Sequence, residues 1–337
     1  MPELSVVIVS YRCRDLLRDC LDSLAAQRGE VDMEVIVLDN DSGDDTLAAA
    51  GAHPWVQAED LGENVGFGRA NNIGFGRATG DAVLALNPDT VVPPGALRAC
   101  LDELWRDPGT GVLTPRLVDP QGRLDRRCKR GFPTPWSSFC YFTGLDQRFT
   151  GPRSTRYTVG WVPEDRPGDV ESVSGAFMLM PTRALREVGG FDEQFFMYAE
   201  DIDLCLRFVE HGWRVRYWPG VDVVHVGAGS NVDGRRPPAA DSAYFRTMAP
   251  FIRKHRPGLR GAALAGAVWM VGEAALGASR LGSRFGGDRA GGVGEQPQPA
   301  QEPVGAAAVD DLVDHHHGDA GDDVGPDDLP AAAVEDG

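Results

Sequence analysis

The chain opens on an unbroken apolar run, Leu4-Ser5-Val6-Val7-Ile8-Val9-Ser10, rich in β-branched residues. A run with no polar alternation has no face to give to water, so it predicts a strand covered on both sides, as in a parallel sheet. Leu16, Leu17, Cys20, Leu21 and Leu24 follow at three- and four-residue steps, the period of one helix face. Strands are then expected at Met33–Leu38, Trp55–Ala58, Ala82–Leu86 and Gly111–Thr114, with helices over 67–79 and 94–105. Strand and helix in alternation predict an α/β protein built on a doubly wound, mainly parallel, Rossmann-like sheet. Ligands of such sheets bind beyond the carboxyl ends of the strands. Ser10, Asp39 and Asn87-Pro88-Asp89 all fall at that edge.

Residues 119–170 lose this regularity and are rich in Arg, Pro, Gly and aromatics, which predicts an insertion lying over the site. Regular structure is expected again at Val173–Met180, after Pro181, and from Glu200, with closing strands at Trp213–Tyr217 and Val221–His225. Between 262 and 279 the residues are small and apolar around Trp269 and Met270. Glu273 and frequent glycines argue against a bilayer span, so this reads as a packed or interfacial helix. Arg256, Arg260, Arg280 and Arg284 flank it, suited to anionic headgroups. Beyond Gly286 the Gly, Pro, Ala and Asp composition cannot support a core and predicts disorder.

Charge sharpens this division. Thirteen of the 50 acidic residues but one of the 33 basic ones lie in 286–337, so the body holds only −5 of the net −17. The body is near balance and has no basic footprint for nucleic acid. The six cysteines form no CxxC pair and sit in apolar patterns, which reads as free thiols in a reducing compartment. The first strand begins at once, without a basic region and an apolar leader before it, and the expectation is a cytoplasmic protein.

Candidate chemistry lies in several loops. Asn87-Pro88-Asp89 puts a carboxylate at the open end of a buried strand, where it reads as a cation ligand or as a turn. Asp39-Asn40-Asp41-Ser42 suits a base or ribose, and equally a helix-capping loop. Asn64-Val65-Gly66-Phe67 and Asn71 offer glycine backbone and amides for a ligand, or a tight turn into a helix. Glu200, Asp201 and Asp203 crowd a helix start after Phe195-Phe196-Met197-Tyr198. Helix geometry turns Asp201 and Asp203 roughly 200° apart. Asp203 then pairs with Arg207 one turn on, and Asp201 faces the cleft. His225 ends an apolar strand, either as a structural residue or as a ligand. Arg123, Arg126, Arg127, Lys129 and Arg130 form a basic cluster, either solvated or suited to a diphosphate. His315–His317 sit in the acidic tail and read as composition.

Taken in order, these motifs over residues 3–230 resemble the inverting family-2 glycosyltransferases of GT-A fold: Ser10-Tyr11, Asp39-Asn40, Asn64–Phe67 with Asn71, Asn87–Asp89, Ser174-Gly175-Ala176, Gly189–Glu193, Phe196–Asp201 and His225. Within the family the chain looks most like bacterial rhamnosyltransferases acting on polyprenyl-diphosphate-linked or polysaccharide acceptors. The resemblance implies that Ser10, Tyr11, Asp39, Asn64, Gly66, Phe67, Asn71, Asn87 and Asp89 hold a nucleotide sugar, with Gly175 and Ala176 against its sugar. It implies Asp201 as the base, and Arg127, Arg130, Tyr198 and Glu200 on the acceptor side. Asn87 stands where the family has a first Asp, so Asp89 and His225 are implied as the ligands of Mg2+ or Mn2+.

The implied reaction moves a sugar, L-rhamnose from dTDP-L-rhamnose, to a lipid-linked or polysaccharide hydroxyl in envelope glycan synthesis, at the inner membrane face. The implied layout is a GT-A domain over 1–258, with a nucleotide-binding half to 118 and an acceptor and catalytic half over 119–258. A helical extension follows over 259–285, then the acidic tail over 286–337. A homodimer is left open, as are galactofuranose, glucose and N-acetylglucosamine as the sugar. Two rivals remain. A nucleotidyltransferase would need a glycine-rich loop after the first strand, where Ser10-Tyr11-Arg12-Cys13-Arg14 has none. A non-catalytic binder on a degenerate fold would have no use for Asp89, Asp201 and His225 together.

Overall fold

The structure, a computed structural model, describes residues 1–134, 136–138, 140, 145–149, 151, 153–227, 238–259 and 261–270, with the side chains of 147 and 238–246 outside it. The tail expected over 286–337, His315–His317, Arg260, Arg280, Arg284 and the part of the extension beyond 270 lie outside the described residues.

The first half follows the expected alternation. β1 (Leu4–Ser10), α1 (Arg14–Ala25), β2 (Met33–Asp39), α2 (Thr46–Gly51), β3 (Val56–Asp60), α3 (Phe67–Arg77) and β4 (Ala82–Leu86) come in order. β1 and β4 are buried along their whole length, as their continuous apolar runs require. α1 buries Leu17, Cys20, Leu21 and Leu24, one face at helical spacing. After β5 (Thr90–Val91) come α4 (Ala96–Arg106), β6 (Thr110–Val118), β7 (Lys129–Arg130) and a single turn, α5 (Leu145–Arg148). Then follow β8 (Gly168–Val170), β9 (Ser172–Val173), β10 (Phe177–Pro181), α6 (Thr182–Val188), α7 (Glu200–Glu210), β11 (Arg214–His225) and α8 (Pro238–His255).

The sheet runs β3-β2-β1-β4-β10-β6-β11-β5, with β8 beside β11. β3, β2, β1 and β4 are mutually parallel, and so are β6 and β11. β10 lies antiparallel between β4 and β6, with Phe177 opposite Leu86 and Pro181 opposite Ala82. The α/β, mainly parallel architecture is therefore present, with β10 reversed at its centre and β5 and β8 antiparallel to β11. Two expected elements differ. The run Val173–Met180 is broken at Ser174-Gly175-Ala176, so that Ser172–Val173 leaves the main sheet and pairs with β7. The two closing strands are one strand, β11, whose register shifts between Trp218 and Asp222. That irregularity around Pro219-Gly220 interrupts the sequence pattern without ending the strand.

α8 packs on the loop before α7: Met248 and Phe251 join Phe195, Ala199 and Ile202 in one apolar cluster. Lys254 Nζ reaches Asp192 Oδ2 and Asp203 Oδ1, each at 2.6 Å, and His255 Nε2 lies 2.7 Å from Asp203 Oδ1. Arg207 Nε donates to Asp203 Oδ2 at 2.8 Å, the expected one-turn pair. Residues 261–270 are helical, with Trp269 and Met270 exposed. Among the described residues no helix is long and apolar enough to cross a membrane. Cys20, Cys100, Cys128, Cys140 and Cys205 are buried free thiols, and Cys13 is half-buried.

One close approach sets the seat of α3. A Cβ on Gly74 would lie 2.3 Å from Cγ1 of Val7, inside the core of β1. Helix propensity alone favours alanine there by about 1 kcal/mol, but overpacking a filled core costs about 1–3 kcal/mol. Gly74→Ala is expected to lower the urea unfolding midpoint with an unchanged slope; a raised midpoint would show that helix and strand are not in this contact.

Candidate active site

The carboxyl ends of β1, β2, β4, β6 and β11 and the start of β10 meet at one edge of the sheet. There Asp39 is held from both sides. Its Oδ1 accepts from Ser10 Oγ at 2.8 Å and Ser42 Oγ at 2.6 Å, and its Oδ2 accepts from the Ser42 amide at 2.9 Å. Next to it, Asn40 Oδ1 accepts from Val65 N and its Nδ2 donates to the Gly66 carbonyl, tying the 64–66 loop to the end of β2. Gly66 has φ +87°, and a Cβ there would lie 2.7 Å from the Phe196 carbonyl oxygen. Glycine is required for that backbone shape and that approach. The Phe67 amide then donates to the same Phe196 oxygen at 3.0 Å, joining the two loops that frame the site.

A cavity of about 220 Å³ lies beside this edge, and eleven of the predicted residues line it. They fall into two groups. Asn87, Asp89, His225 and Arg127 form one wall; Arg130, Gly175, Ala176, Tyr198, Glu200 and Asp201 form the other, with Phe67 between loop and pocket. Ser10, Tyr11, Asp39, Asn64, Gly66 and Asn71 are not in this lining. Ser10 and Asp39 are buried at the ends of β1 and β2, while Tyr11 is exposed with the Arg12 guanidinium over its ring. Asn64 Oδ1 accepts from the Gly66 amide, and Asn71 Nδ2 donates to the Phe67 carbonyl on its own helix. Those two side chains shape the loop and helix rather than the cavity wall. A larger cavity of about 700 Å³ lies at the opposite strand ends, by Thr79, Asp81 and Thr182, away from Asp89 and Asp201.

On the first wall, His225 is buried with a carboxylate at each ring nitrogen. Asp125 Oδ2 lies 2.9 Å from Nδ1 and Asp89 Oδ1 lies 3.3 Å from Nε2. Burial alone would lower the pKa of the imidazole, but the hydrogen bonds and charges of Asp125 and Asp89 outweigh it and raise it to about 9. The same contacts act on the acids. Burial opposes ionisation of Asp89 and Asp125, yet His225, joined by Arg127, holds both pKa values below the usual carboxylate range. Asp125 also receives Arg127 Nε at 3.0 Å and Nη2 at 2.9 Å. Asp125 was not a predicted site residue, because in sequence it is hidden in the basic stretch 123–130.

On the second wall, Arg130 leaves β7 and its Nη2 lies 2.5 Å from Asp201 Oδ2. The Gly175 amide donates to the same oxygen at 3.1 Å, and the Ile202 amide donates to Oδ1 at 2.8 Å. The break between β9 and β10 thus has a use: it turns the Gly175 N–H toward α7. Tyr198 and Ala199, just before that helix, both have left-handed backbone, φ +68° and +67°. Such strain in non-glycine residues gathers at functional sites and persists where packing over-determines it; here α8 supplies that packing. Glu200 is buried beside Asp201, and its Oε2 has no hydrogen-bond partner among the described residues.

The basic cluster is divided among separate carbonyl and carboxylate partners, with Arg123 exposed and Lys129 and Arg130 buried. Arg123 pairs with Asp119, Arg126 with Asp146, Arg127 with Asp125 and Arg130 with Asp201, while Lys129 donates to the Val162 carbonyl. The two arginines expected together on the acceptor side are separated, one beside His225 and one beside Asp201.

The pattern described as glycosyltransferase like family 2 matches residues 2–249, and the chain belongs to this family. Over 274 residues it is 32% identical to N-acetylglucosaminyl-diphospho-decaprenol L-rhamnosyltransferase of Mycobacterium tuberculosis, covering 76% of this chain and 85% of that one. A stretch of 56 residues, 17% of this chain and 21% of the relative, is 45% identical to rhamnosyltransferase WbbL of Escherichia coli. Among solved structures it is similar to the mannosyltransferase PcManGT from Pyrobaculum calidifontis in complex with GDP-Man and Mn2+. That match has a TM-score of 0.52 at 20% identity, over 83% of this chain and 75% of that one. GalNAc-T7 with UDP, GalNAc and Mn2+ is similar at TM-score 0.52 and 14% identity, over 74% and 48% of the two chains. The fold is that of the GT-A glycosyltransferases.

Glu200 gives a test of the site's electrostatics. Burial and the charge of Asp201 push its pKa from 4.5 up to about 8. The folded protein then holds a proton that the unfolded chain has released, so this group's contribution to stability falls as pH rises from about 4.5 to 8. Glu200→Gln removes that dependence. Denaturant titrations at pH 5 and pH 8 are expected to show the variant gaining on the wild type at the higher pH; parallel losses would place Glu200 in water.

Proposed function

We propose that the protein is a metal-dependent, inverting glycosyltransferase that moves a sugar from a nucleotide donor to a hydroxyl of a lipid-linked or polysaccharide acceptor. The observation that carries this reading is the shared cavity. Asp201, fixed by Arg130 and the Gly175 amide, lines the same small space as Asp89 and His225. A base for a hydroxyl and a site for a departing diphosphate are the two things an inverting sugar transfer needs in one pocket. L-Rhamnose from dTDP-L-rhamnose is the donor we favour, supported by the 32% identity to a rhamnosyltransferase over most of both chains.

The residues divide the work by position. The fixed carboxylate of Asp39 and the loop joined to it through Asn40 offer acceptors and backbone to a nucleoside at the ends of β1 and β2. Gly175 and Ala176 stand beside Asp201 where the transferred sugar would lie. An acceptor hydroxyl entering along Tyr198 meets Asp201, which takes its proton as the oxygen bonds to the anomeric carbon from the face opposite the diphosphate. Arg130 holds that carboxylate in place and balances its charge in a site with little water. Arg127 lies on the diphosphate side, next to Asp125 and Gly227.

The donor set at the first wall fits a divalent cation. Asp89 supplies a carboxylate oxygen and His225 an Nε2, both at the cavity, and Asp125 orients the ring from Nδ1 as partners of metal-bound histidines do. For such binding the ring gives up its proton. Held by Asp89 and His225, Mg2+ or Mn2+ would supply positive charge against the leaving diphosphate. Among the described residues no group of three or more His, Cys, Asp or Glu is placed to share one ion, so a cation held by Asp89 and His225 would need further oxygens from the nucleotide. Exposed Trp269 and Met270, with exposed Arg256 earlier in the chain, suit a peripheral position on the inner membrane face.

Two outcomes test this reading. Asp201→Asn is expected to reduce transfer by at least about a hundredfold, the usual weight of a general base, while the nucleotide sugar still raises the melting temperature; loss of both effects together would remove Asp201 from the role of base. In calorimetry, Mn2+ is expected to bind the protein at least tenfold more tightly with nucleoside diphosphate present, and His225→Ala to abolish that gain. Equal Mn2+ affinity with and without nucleotide would contradict a two-ligand site.

A further inference from the structure

The second wall holds a group that the resemblance implies only as lying on the acceptor side, with no task in the proton and leaving-group chemistry. Glu200 lines the cavity next to Asp201, yet Oε2 is buried without a hydrogen-bond partner among the described residues. A buried carboxyl oxygen left unpaired costs stability and asks for an explanation. Asp201, one residue on, has the opposite surroundings: a guanidinium and two backbone amides occupy its oxygens. Two adjacent carboxyls, one with both oxygens engaged and one with an oxygen left over, are suited to two different tasks. The strained Tyr198-Ala199 turn sets the start of α7 so that both reach the same pocket.

We propose that Glu200 is the acceptor-positioning residue, a carboxylic acid whose O–H donates to an oxygen of the acceptor sugar neighbouring the hydroxyl that Asp201 deprotonates. This rests on the reading of the site as a glycosyltransferase centre and adds to it a class of acceptor: a sugar with a hydrogen-bond-accepting oxygen vicinal to the attacked hydroxyl. The groups facing Glu200 agree with a neutral acid. Asp201 on the same helix disfavours a second negative charge, and together with burial it outweighs the opposite pull of Arg130 from β7, whose guanidinium is paired with Asp201. Elsewhere in the same lining Asp89 and His225 compensate one another, and Arg127 is paired with Asp125. Burial and Asp201 together keep the Glu200 proton on up to about pH 8. A donated hydrogen bond that lines up the acceptor orients the nucleophile without competing for its proton.

The test compares Glu200→Gln and Glu200→Ala with the wild-type protein, using an N-acetylglucosaminyl-diphospholipid and dTDP-L-rhamnose as probe substrates. Gln keeps the size and an N–H donor, so its kcat/KM for the acceptor is expected within about threefold of wild type, whereas Ala lowers it roughly ten- to a hundredfold with donor KM unchanged. The wild type is expected to lose acceptor kcat/KM above about pH 8, and Glu200→Gln to lack that limb. An acceptor lacking the neighbouring oxygen is expected to be as poor for the wild type as the normal one is for Glu200→Ala. Melting temperatures and the donor-induced shift show that each variant is folded. Wild-type kcat/KM in Glu200→Ala, or an unchanged limb in Glu200→Gln, overturns the proposal and leaves the base assignment standing. Inactivity of Glu200→Gln beside an active Asp201→Asn overturns both, making Glu200 the base.

Discussion

Arg130 and Asp201 lie 71 positions apart in the chain and 2.5 Å apart in the fold, both buried. Removing one partner of such a pair leaves the other uncompensated in a dry site, a loss of about 3–5 kcal/mol. The pair therefore constrains everything around it. It fixes where the 119–170 insertion must enter, how β9 must leave the main sheet, and which end of α7 faces the cavity.

Each of those consequences is visible in backbone terms. β7 and β9 make a two-stranded ribbon apart from the main sheet, and its register places Arg130 opposite Ser172. The chain then turns at Ser174-Gly175-Ala176 before joining β10, which presents the Gly175 amide to Asp201. A Cβ on Gly175 would lie 3.3 Å from the Phe67 ring, so the turn, the α3 entry and the carboxylate are packed as one unit. Asp203 is held from the far side by Lys254, His255 and Arg207, so α8 reaches the site through the helix that carries Asp201. The strain at Tyr198 and Ala199 is maintained between these two anchors.

How much of this the sequence disclosed follows from the range of the interactions. β1, β2 and β4 were legible because a strand buried on both faces must be apolar throughout, and that is a local property. The same reasoning failed at Val173–Met180, where apolar character continued across a break made by turn geometry and by the pairing of Lys129 with Val173. It failed again at β11, where Pro219 and Gly220 interrupt the pattern but not the hydrogen bonding on either side. Asp201 and Asp203 were separable from helix geometry alone, and the Arg207 pair is where that geometry put it. The partners of charges were not legible. Asp125 looked like one acid within a basic loop, and its contact with His225 spans 100 positions. Arg130 read as an acceptor contact because nothing local says that its partner is Asp201.

In the proposed reaction the fixed carboxylate of Asp201 faces the donor sugar from the side opposite the leaving diphosphate. The anomeric configuration of the product reports this directly. With a nucleotide sugar of defined configuration, NMR of the product formed before any equilibration is expected to show the opposite configuration at the transferred carbon. A product that keeps the donor's configuration would require either two displacements or attack from the face the diphosphate leaves, and would contradict the role assigned to Asp201.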